Sequence, residues 1–270
     1  MSDRLVSICI PTFNGGKFIR ETLESIKAQT YKNIEVIVTD DCSKDDTLDI
    51  CREYDFVKIF PNEERQGLVA NWNVAVSRSS GEYIKLIGQD DVLAPRSIEK
   101  QVKALEANPN ATISIGDTNV INQDSKVIMS RSLSKKDFCM DGRRFALKSL
   151  WYRNIYCEPA NALYRRSAAE KVGQYSTDFI YVPDWDYVIE ISLLGDLCYI
   201  ADTIMSFRIS NNSETSYLYR KKSYEMLKDT EKMFDKYKSR LHLSFFREMV
   251  FKIAIRLRMH ARLVFIKLKK

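Results

Sequence analysis

The adjacent carboxylates of Asp90 and Asp91 are the side chains whose type and position most directly suggest chemistry. They follow an apolar run at residues 83–87, YIKLI, which predicts a short buried strand. Two neighbouring carboxylates at a strand end repel each other and are costly to remove from water. A divalent cation would remove that cost, and oxygen ligands suit Mg²⁺ or Mn²⁺. The alternative is a solvated turn that caps the helix beginning near Pro95, and these residues alone do not decide between the two.

Two other predicted strands also end in polar residues. The run at residues 33–39, NIEVIVT, is followed by Asp40 and Asp41, and the run at residues 5–10, LVSICI, is followed by PTFNGG. In an open parallel sheet the carboxyl ends of the strands share one edge, and ligands bind in the crevice outside it. The sequence therefore predicts one binding site that is lined by two acidic pairs and a glycine turn.

The elements that must position these side chains follow a strand–helix alternation. Over roughly the first 105 residues this alternation predicts the nucleotide-binding half of a doubly wound α/β fold. Beyond it we predict strands at residues 111–121, 127–129, 197–200 and 204–208, helices at residues 141–152, 166–172 and 187–194, and a polar loop over the site at residues 131–144. We divide the chain into a nucleotide-binding half at residues 1–110, a second half at residues 111–215 and a helical extension at residues 216–270.

The composition is that of a soluble globular protein. Apolar residues make up 45% and charged residues 29% of the 270 residues, and only 9 Gly and 6 Pro argue against long disordered linkers. The six cysteines are scattered without a CxxC pair, so we expect buried reduced thiols rather than a disulfide framework or a zinc site. The first residues, MSDRLVSICIP, do not form a signal peptide, so we expect a cytoplasmic protein.

The net charge of +6 originates in the C-terminal segment, where residues 236–270 contain eleven Lys and Arg residues and one acidic residue, Glu248. Its apolar residues fall largely on one helical face: Phe246, Met249, Val250, Ile253, Leu257 and Val264. A basic amphipathic helix is typical of a segment that lies in an anionic membrane interface, and no charge-free stretch is long enough for a membrane span. We therefore expect peripheral binding at the inner face of the cytoplasmic membrane. Packing on the same domain and a homodimer contact are the alternatives, and we expect no nucleic-acid partner.

Five segments occur together in the chain: IPTFNGGKFIRETLESIKAQTY, VTDDCSKDDT, GLVANWNVAV, GEYIKLIGQDDVLAP and DWDYVIEISLLGD. In order and spacing they resemble the inverting family-2 glycosyltransferases over about residues 5–210. The resemblance implies the GT-A fold, a doubly wound mixed sheet with a Rossmann-like nucleotide-binding half and an acceptor-binding half, here with a C-terminal helical extension. It also implies sugar transfer from a UDP-sugar to a hydroxyl of a glycan or polyprenol-linked oligosaccharide, in bacterial surface polysaccharide (O-antigen or capsule) assembly.

The resemblance assigns a role to each matching position. The implied nucleotide-binding residues are Pro11, Thr12, Phe13, Asp40, Asp41, Asn73, Asp90 and Arg208. Asp40 would accept a hydrogen bond from the uracil ring, and Asp90 and Asp91 would hold Mn²⁺ or Mg²⁺ against the diphosphate. Asp184 falls at the position of the catalytic base, which takes the proton of the acceptor hydroxyl.

Three positions depart from the family pattern. Gly88 stands where an aspartate of the metal motif is often found, so metal binding would depend on the adjacent acidic pair. Pro183 replaces the glutamate that usually precedes the base, which leaves Asp186 as an alternative to Asp184. The histidine often found two residues after Arg208 is absent, so that arginine would contact the phosphates alone.

Two other functions fit parts of the pattern. A nucleotidyltransferase uses a related sheet, but it normally needs a Gly-rich loop with Arg or Lys after the first strand to hold a triphosphate, and the loop at residues 12–17 has a single lysine, Lys17. A non-catalytic subunit that binds a nucleotide sugar or a glycan would explain the departures at Gly88 and Pro183.

Overall fold

The computed structural model describes residues 3–152, 158–210, 218 and 222–268. Within these parts of the chain, ten strands form one mixed sheet that helices cover. The strands are β1 (Val6–Thr12), β2 (Ile34–Asp40), β3 (Val57–Pro61), β4 (Tyr83–Leu86), β5 (Val92–Leu93), β6 (Ala111–Ile121), β7 (Val127–Arg131), β8 (Phe138–Met140), β9 (Leu163–Arg165) and β10 (Asp196–Arg208). The helices are α1 (Ile19–Lys27), α2 (Thr47–Arg52), α3 (Leu68–Ser77), α4 (Ser97–Ala107), α5 (Gly142–Tyr152), α6 (Arg166–Val172), α7 (Pro183–Ser192), α8 (Ser223–Lys238) and α9 (Phe245–Leu268).

The first half of the sheet confirms the predicted alternation. Strands β3, β2, β1 and β4 lie side by side and are all parallel. Thr12 pairs with Asp40 in the register of β1 and β2. The carboxyl ends of β1, β2 and β4 therefore meet at one edge, as the sequence predicts.

The second half of the sheet is built around β6 and β10, which run parallel to each other. Short β9 joins it to the first half because it is antiparallel to both β4 and β6. We predict two strands at residues 197–200 and 204–208, whereas the structure has one strand of 13 residues with register shifts between Ile200 and Met205. The polar residues that suggested a break form a bulge within a continuous strand.

The prediction of a loop at residues 131–144 is wrong for its central part. Strand β8 pairs antiparallel with β10 there, and Cys139 lies opposite Cys198. These two cysteines form a disulfide, so the expectation of reduced thiols is also wrong for this pair. Cys9 and Cys51 are buried free thiols as expected, and Cys157 lies outside the described residues. The sequence did not reveal β8, because a strand of three residues between polar segments has too few positions to show an alternating pattern.

Two apolar clusters cover the two faces of the sheet. Because side chains of a strand alternate between faces, Ile8 and Ile10 of β1 pack with α1 and α4, whereas Cys9 belongs to the cluster with α3 and α7. A third cluster joins α5, α7 and α8. The C-terminal extension is thus packed on the sheet domain through α8. The boundary that we expect between residues 215 and 216 lies outside the described residues.

Helix α9 packs on α8, where Phe251 stacks on Phe234 with ring centroids 3.9 Å apart. Its other side exposes a stripe of large apolar residues: Phe245, Phe246, Met249, Ile253 and Leu257. The side chain of Val264, which the sequence places on the same face, lies outside the described residues. None of the described helices combines the length and the apolar character that a bilayer crossing requires.

Lys85 is a fully buried lysine in the centre of β4. Its ammonium donates to Gln101 Oε1 at 2.8 Å, and Gln101 in turn donates to the carbonyls of Ser114 and Asn161. Burial lowers the pKa of Lys85 from 10.5 to about 7, against the attraction of the Asp91 carboxylate. The sheet therefore contains a buried titratable group that interacts electrostatically with Asp91.

Replacing Lys85 with Met tests this burial. Between pH 7 and about 10.5 the unfolded chain keeps the lysine proton that the folded chain has lost, so the free energy of unfolding rises with pH in this window. The natural protein should gain up to about 1.4 kcal/mol per pH unit relative to Lys85→Met. Urea unfolding at pH 7, 8 and 9 measures the difference, which isolates Lys85 because both proteins retain the other titrating groups. A difference that does not change with pH contradicts the assignment.

Candidate active site

The loops after β1 and β2 hold each other at the site edge. Asn14 adopts a left-handed backbone with φ of 49°, donates from its backbone N–H to Ser43 Oγ at 2.8 Å and accepts from Lys44 N–H at 2.8 Å. The N–H groups of Gly15 and Gly16 donate to Thr47 Oγ1 and an Asp45 carboxylate oxygen, at 2.7 and 2.9 Å. The glycine turn is thus fixed by the neighbouring loop.

Asp40 is buried at the end of β2, beside Thr12. Its Oδ1 accepts from Thr12 Oγ1 at 2.9 Å and from Ser43 Oγ at 2.5 Å, and its Oδ2 accepts from Ser43 N–H at 2.8 Å. The Oδ2 atom accepts this single bond among the described residues, so it keeps capacity for a ligand donor. The structure thus brings Thr12 and Asp40 together as the sequence predicts.

Phe13 is held by a residue that the sequence reasoning missed. Gln89 accepts from Phe13 N–H at 2.9 Å and donates to its carbonyl at 3.0 Å, which ties the end of β1 to the end of β4. The Arg65 guanidinium lies 4.0 Å from the centroid of the Phe13 ring. An arginine over an aromatic ring beside Asp40 offers a stacking surface for a base. The position of Gln89 in a polar loop gave no signal in the sequence.

Asp41 and Asn73 are committed to the protein rather than directed at the crevice. The Asp41 carboxylate accepts from the N–H groups of Gln66 and Gly67 at 2.6 and 2.9 Å, which fixes the loop that leads into α3. Asn73 makes two hydrogen bonds, of 2.8 and 2.9 Å, with the backbone of Tyr175. In this structure both residues support the walls of the site.

Asp90 and Asp91 converge beside Gly88. A Cβ built on Gly88 would lie 2.9 Å from Asp91 Oδ2 and 3.1 Å from Asp90 Oδ1, so the two carboxylates fill the space next to this glycine. Burial raises the pKa of both groups, and the charges of Asp90 and Glu158 raise that of Asp91 further. Two converging carboxylates with raised pKa values are a site that a cation would stabilise.

The described residues contain no group of three or more His, Cys, Asp or Glu side chains that could hold a metal ion. Mg²⁺ and its analogues are commonly held by one or two carboxylates together with substrate phosphates and water. The acidic pair fits this mode of binding, in which a diphosphate completes the ligand set.

Glu158 is a further buried carboxylate near Asp91. One oxygen accepts from Arg131, whereas Oε2 is buried with no hydrogen-bond partner among the described residues. Burial raises the pKa of Glu158, against the attraction of Arg131. The segment in which it lies shows no periodicity, so only the fold could bring it to the acidic pair.

Arg208 is surrounded by protein groups, whereas the resemblance implies that it contacts the phosphates. Its side chain is fully buried and lies 4.5 Å from the centroid of the Phe18 ring. The guanidinium donates to the Asp90 carbonyl at 2.9 Å, to Asn122 O and Ser125 Oγ at 3.0 Å each, and to Glu21 Oε2 at 2.6 Å. Its backbone N–H donates to Asp91 Oδ1 at 3.2 Å. These contacts make Arg208 a positioning residue for the acidic pair rather than a phosphate ligand.

The structure also separates the two candidate bases. Helix α7 begins at Pro183 rather than at the predicted residue 187, because a proline fits the first helical position. Asp184 and Asp186 both lie in its first turn. Asp186 is buried and bound by Lys236 Nζ at 2.8 and 2.9 Å and by the Tyr237 hydroxyl at 2.7 Å. Asp184 is half-buried, and Asp186 is occupied by a structural network.

Comparison with known proteins then decides the family. The profile of Glycosyl transferase family 2 matches residues 7–173. The chain belongs to this family. The fold agrees, because S. aureus TarS 1–349 in complex with UDP-GlcNAc superposes with a TM-score of 0.67 at 16% identity, over 93% of this chain and 79% of that 1–349 chain. The mannosyltransferase PcManGT from Pyrobaculum calidifontis, in complex with GDP-Man and Mn²⁺, gives 0.62 at 18% identity over 96% of this chain and 75% of its own. The predicted GT-A architecture is confirmed.

Curated family-2 relatives include an uncharacterized glycosyltransferase of Rickettsia prowazekii, 38% identical over 109 residues. That match covers 40% of this chain and 34% of the relative, so the alignment spans only about a third of that protein. An uncharacterized glycosyltransferase of Haemophilus influenzae is 26% identical over 242 residues, which cover 83% of this chain and 71% of the relative.

Replacing Arg208 with Met tests its positioning role. The variant loses several charge-assisted hydrogen bonds in a buried place, so the free energy of unfolding should fall by at least about 2 kcal/mol. Arg4→Met is the matched control, since Arg4 pairs with Glu82 on the surface and such pairs contribute less than about 1 kcal/mol. Urea unfolding of both variants measures the difference. Equal losses of stability in Arg208→Met and Arg4→Met contradict the role of Arg208 as a buried positioning residue.

Proposed function

We propose that this glycosyltransferase-family protein transfers a sugar from a UDP-sugar to a hydroxyl of a glycan or polyprenol-linked oligosaccharide, with inversion in a single displacement. The observation that carries the proposal is the convergence of the Asp90 and Asp91 carboxylates at the sheet edge that also bears Asp40. Residues 1–110 bind the donor in this proposal, and residues 111–215 bind the acceptor.

Asp40 is a suitable partner for a uracil base. A carboxylate only accepts hydrogen bonds, and the N3–H group of uracil is a donor. The neighbouring Phe13 ring and Arg65 guanidinium form a stacked pair on which a planar base fits. The UDP-GlcNAc complex of TarS supports a uridine nucleotide, whereas the GDP-Man complex of PcManGT keeps a guanosine nucleotide as the alternative.

Asp90 and Asp91 would hold Mn²⁺ or Mg²⁺. When bound, such a cation neutralises the charge of the departing diphosphate. Arg208 keeps the two carboxylates in place from behind, through the Asp90 carbonyl and Asp91 Oδ1. Because the pKa values of both carboxyl groups are raised, cation binding requires the loss of protons and weakens as the pH falls.

Asp184 acts as the base in this proposal. The acceptor oxygen forms a bond to the anomeric carbon while the bond to the diphosphate breaks, and the hydroxyl proton moves to the Asp184 carboxylate. UDP leaves with the bonding electron pair. The burial of Asp186 and its ion pair with Lys236, against the partial exposure of Asp184, support Asp184 over its neighbour.

The acceptor and the place of action follow from the C-terminal extension. The exposed stripe on α9, with Phe246 67% and Leu257 66% exposed, lies on a segment that is rich in Lys and Arg. We propose that this stripe inserts into the interface of an anionic membrane, at the inner face of the cytoplasmic membrane, where lipid-linked glycans of surface polysaccharides are elongated. A homodimer through the same stripe is the alternative.

Asp184→Asn tests the enzyme assignment. We measure UDP release from a panel of UDP-sugars, beginning with UDP-GlcNAc, in the presence of Mn²⁺ and with water as the acceptor. The variant should lose about 10²–10⁴-fold in rate, as expected for removal of a general base, while UDP affinity stays unchanged. Asp178→Asn, an exposed carboxylate that pairs with Lys232, is the control and should match the natural protein. Full activity of Asp184→Asn excludes this residue as the base. UDP binding by the natural protein with no release from any donor supports a non-catalytic subunit.

The membrane proposal is tested with the double variant Phe246→Ser and Leu257→Ser. Partition of the protein onto phosphatidylglycerol vesicles should weaken by about tenfold or more, because two large apolar side chains no longer insert. Leu194→Ser, which removes an exposed apolar residue after α7, should bind as the natural protein does. Absence of binding to anionic vesicles, together with a dimer that the double variant disrupts in sedimentation velocity, supports the homodimer instead.

A further inference from the structure

We infer that helix α8 of the C-terminal extension positions Asp184, through Asp229, Lys236 and Tyr237. The inference rests on the proposed role of Asp184 as the base. These three residues contact the chain on both sides of Asp184, so they act on it through the backbone of the segment that carries it.

Asp229 holds the segment that enters α7. Its Oδ2 atom accepts hydrogen bonds from the N–H groups of Ile180 and Tyr181, at 2.6 and 2.9 Å. A carboxylate that accepts two adjacent backbone N–H groups fixes the direction of both peptide planes. The chain therefore reaches Pro183 along a path that α8 sets.

Lys236 and Tyr237 hold the first turn of α7 on the other side. Lys236 Nζ binds both carboxylate oxygens of Asp186, and the Tyr237 hydroxyl lies 2.7 Å from Asp186 Oδ1 and 3.0 Å from Glu190 Oε1. Arg240 adds an ion pair of 2.6 Å with Glu190. Lys236 on α8 and Arg240 just after this helix thus pair with the two acidic residues that α7 presents to them, Asp186 and Glu190.

Apolar packing closes the space between these polar contacts. Phe179, Val182 and Trp185 are buried in one cluster with Met233, Tyr237 and Leu241 of the extension. The indole N–H of Trp185 donates to Ser149 Oγ of α5 at 2.6 Å. Because the residues before and after Asp184 are fixed in this way, the backbone that carries its carboxylate has little freedom to move. A reaction can slow by about 10²-fold when a catalytic group is displaced by about 1 Å from its productive position.

This arrangement lies beyond the segment that the family profile matches, which ends at residue 173. The extension would then be part of the catalytic unit as well as the bearer of the exposed stripe on α9. Since α9 packs on α8, the same helix joins the proposed membrane contact to the proposed base.

The experiment compares Asp229→Ala with Asp229→Asn in the full chain. Alanine removes the acceptor of the two N–H groups, whereas asparagine keeps an oxygen that can still accept them. We expect Asp229→Ala to lower kcat of UDP release from UDP-GlcNAc by about tenfold or more, with UDP affinity within about twofold of the natural protein. Asp229→Asn should restore most of the rate. Lys228→Ala, an exposed position on the same helix, is the control and should leave both quantities unchanged.

Tyr237→Phe keeps the inference testable if Asp229→Ala does not fold, because it removes only the tyrosine hydroxyl that contacts Asp186 and Glu190. It should also lower kcat without a matching loss of UDP affinity. Values of kcat for Asp229→Ala and Tyr237→Phe that equal those of Lys228→Ala overturn the inference, as does an equal loss of kcat and UDP affinity. If Asp184→Asn is inactive while these variants are fully active, only the inference fails. If Asp184→Asn is fully active, the assignment of the base fails.

Discussion

The placement of two adjacent carboxylates after β4, with Asp90 half-buried and Asp91 buried, is the constraint on which the rest of the site depends. Asp90 and Asp91 cannot both be charged in this place without compensation, since each raises the cost of ionising the other. Arg208 supplies part of this compensation. Its guanidinium donates to the Asp90 carbonyl, and its backbone N–H donates to the Asp91 carboxylate. The remaining cost makes the pair a receptor for positive charge, which is the property that a cation-assisted transfer of a diphosphate-linked sugar requires.

The residues that hold Arg208 against the acidic pair come from both halves of the sheet. Arg208 ends β10, and its donors reach Glu21 on α1 and the turn at Asn122 and Ser125 between β6 and β7. Arg208 therefore connects the first half of the sheet, which carries the acidic pair, to the second half. In this structure all the donors of the Arg208 side chain that are described bind protein acceptors, at the position where the resemblance implies a phosphate contact.

The sequence predicted the parts of the site that local pattern determines. The strands that carry Thr12, Asp40 and Asp90 follow from apolar runs that end in polar residues, and their common edge follows from the parallel topology. It could not predict the commitment of Asn73 to Tyr175 or the disulfide between Cys139 and Cys198, because these pairs are 102 and 59 residues apart. It also left Asp184 and Asp186 unresolved, since only the packing of α8 on α7 shows that Asp186 is buried and bound by Lys236 and Tyr237.

Calorimetric titration of UDP into the purified protein tests the central claim most directly, with Mn²⁺, with EDTA, and with Asp91→Ala in the presence of Mn²⁺. The account predicts binding in the micromolar range that requires the cation and is lost in the variant. Thr230→Ala, a replacement in α8 away from the sheet edge, should bind UDP as the natural protein does. Failure of the folded natural protein to bind UDP, or affinity that EDTA and Asp91→Ala leave unchanged, would contradict a cation site at the acidic pair.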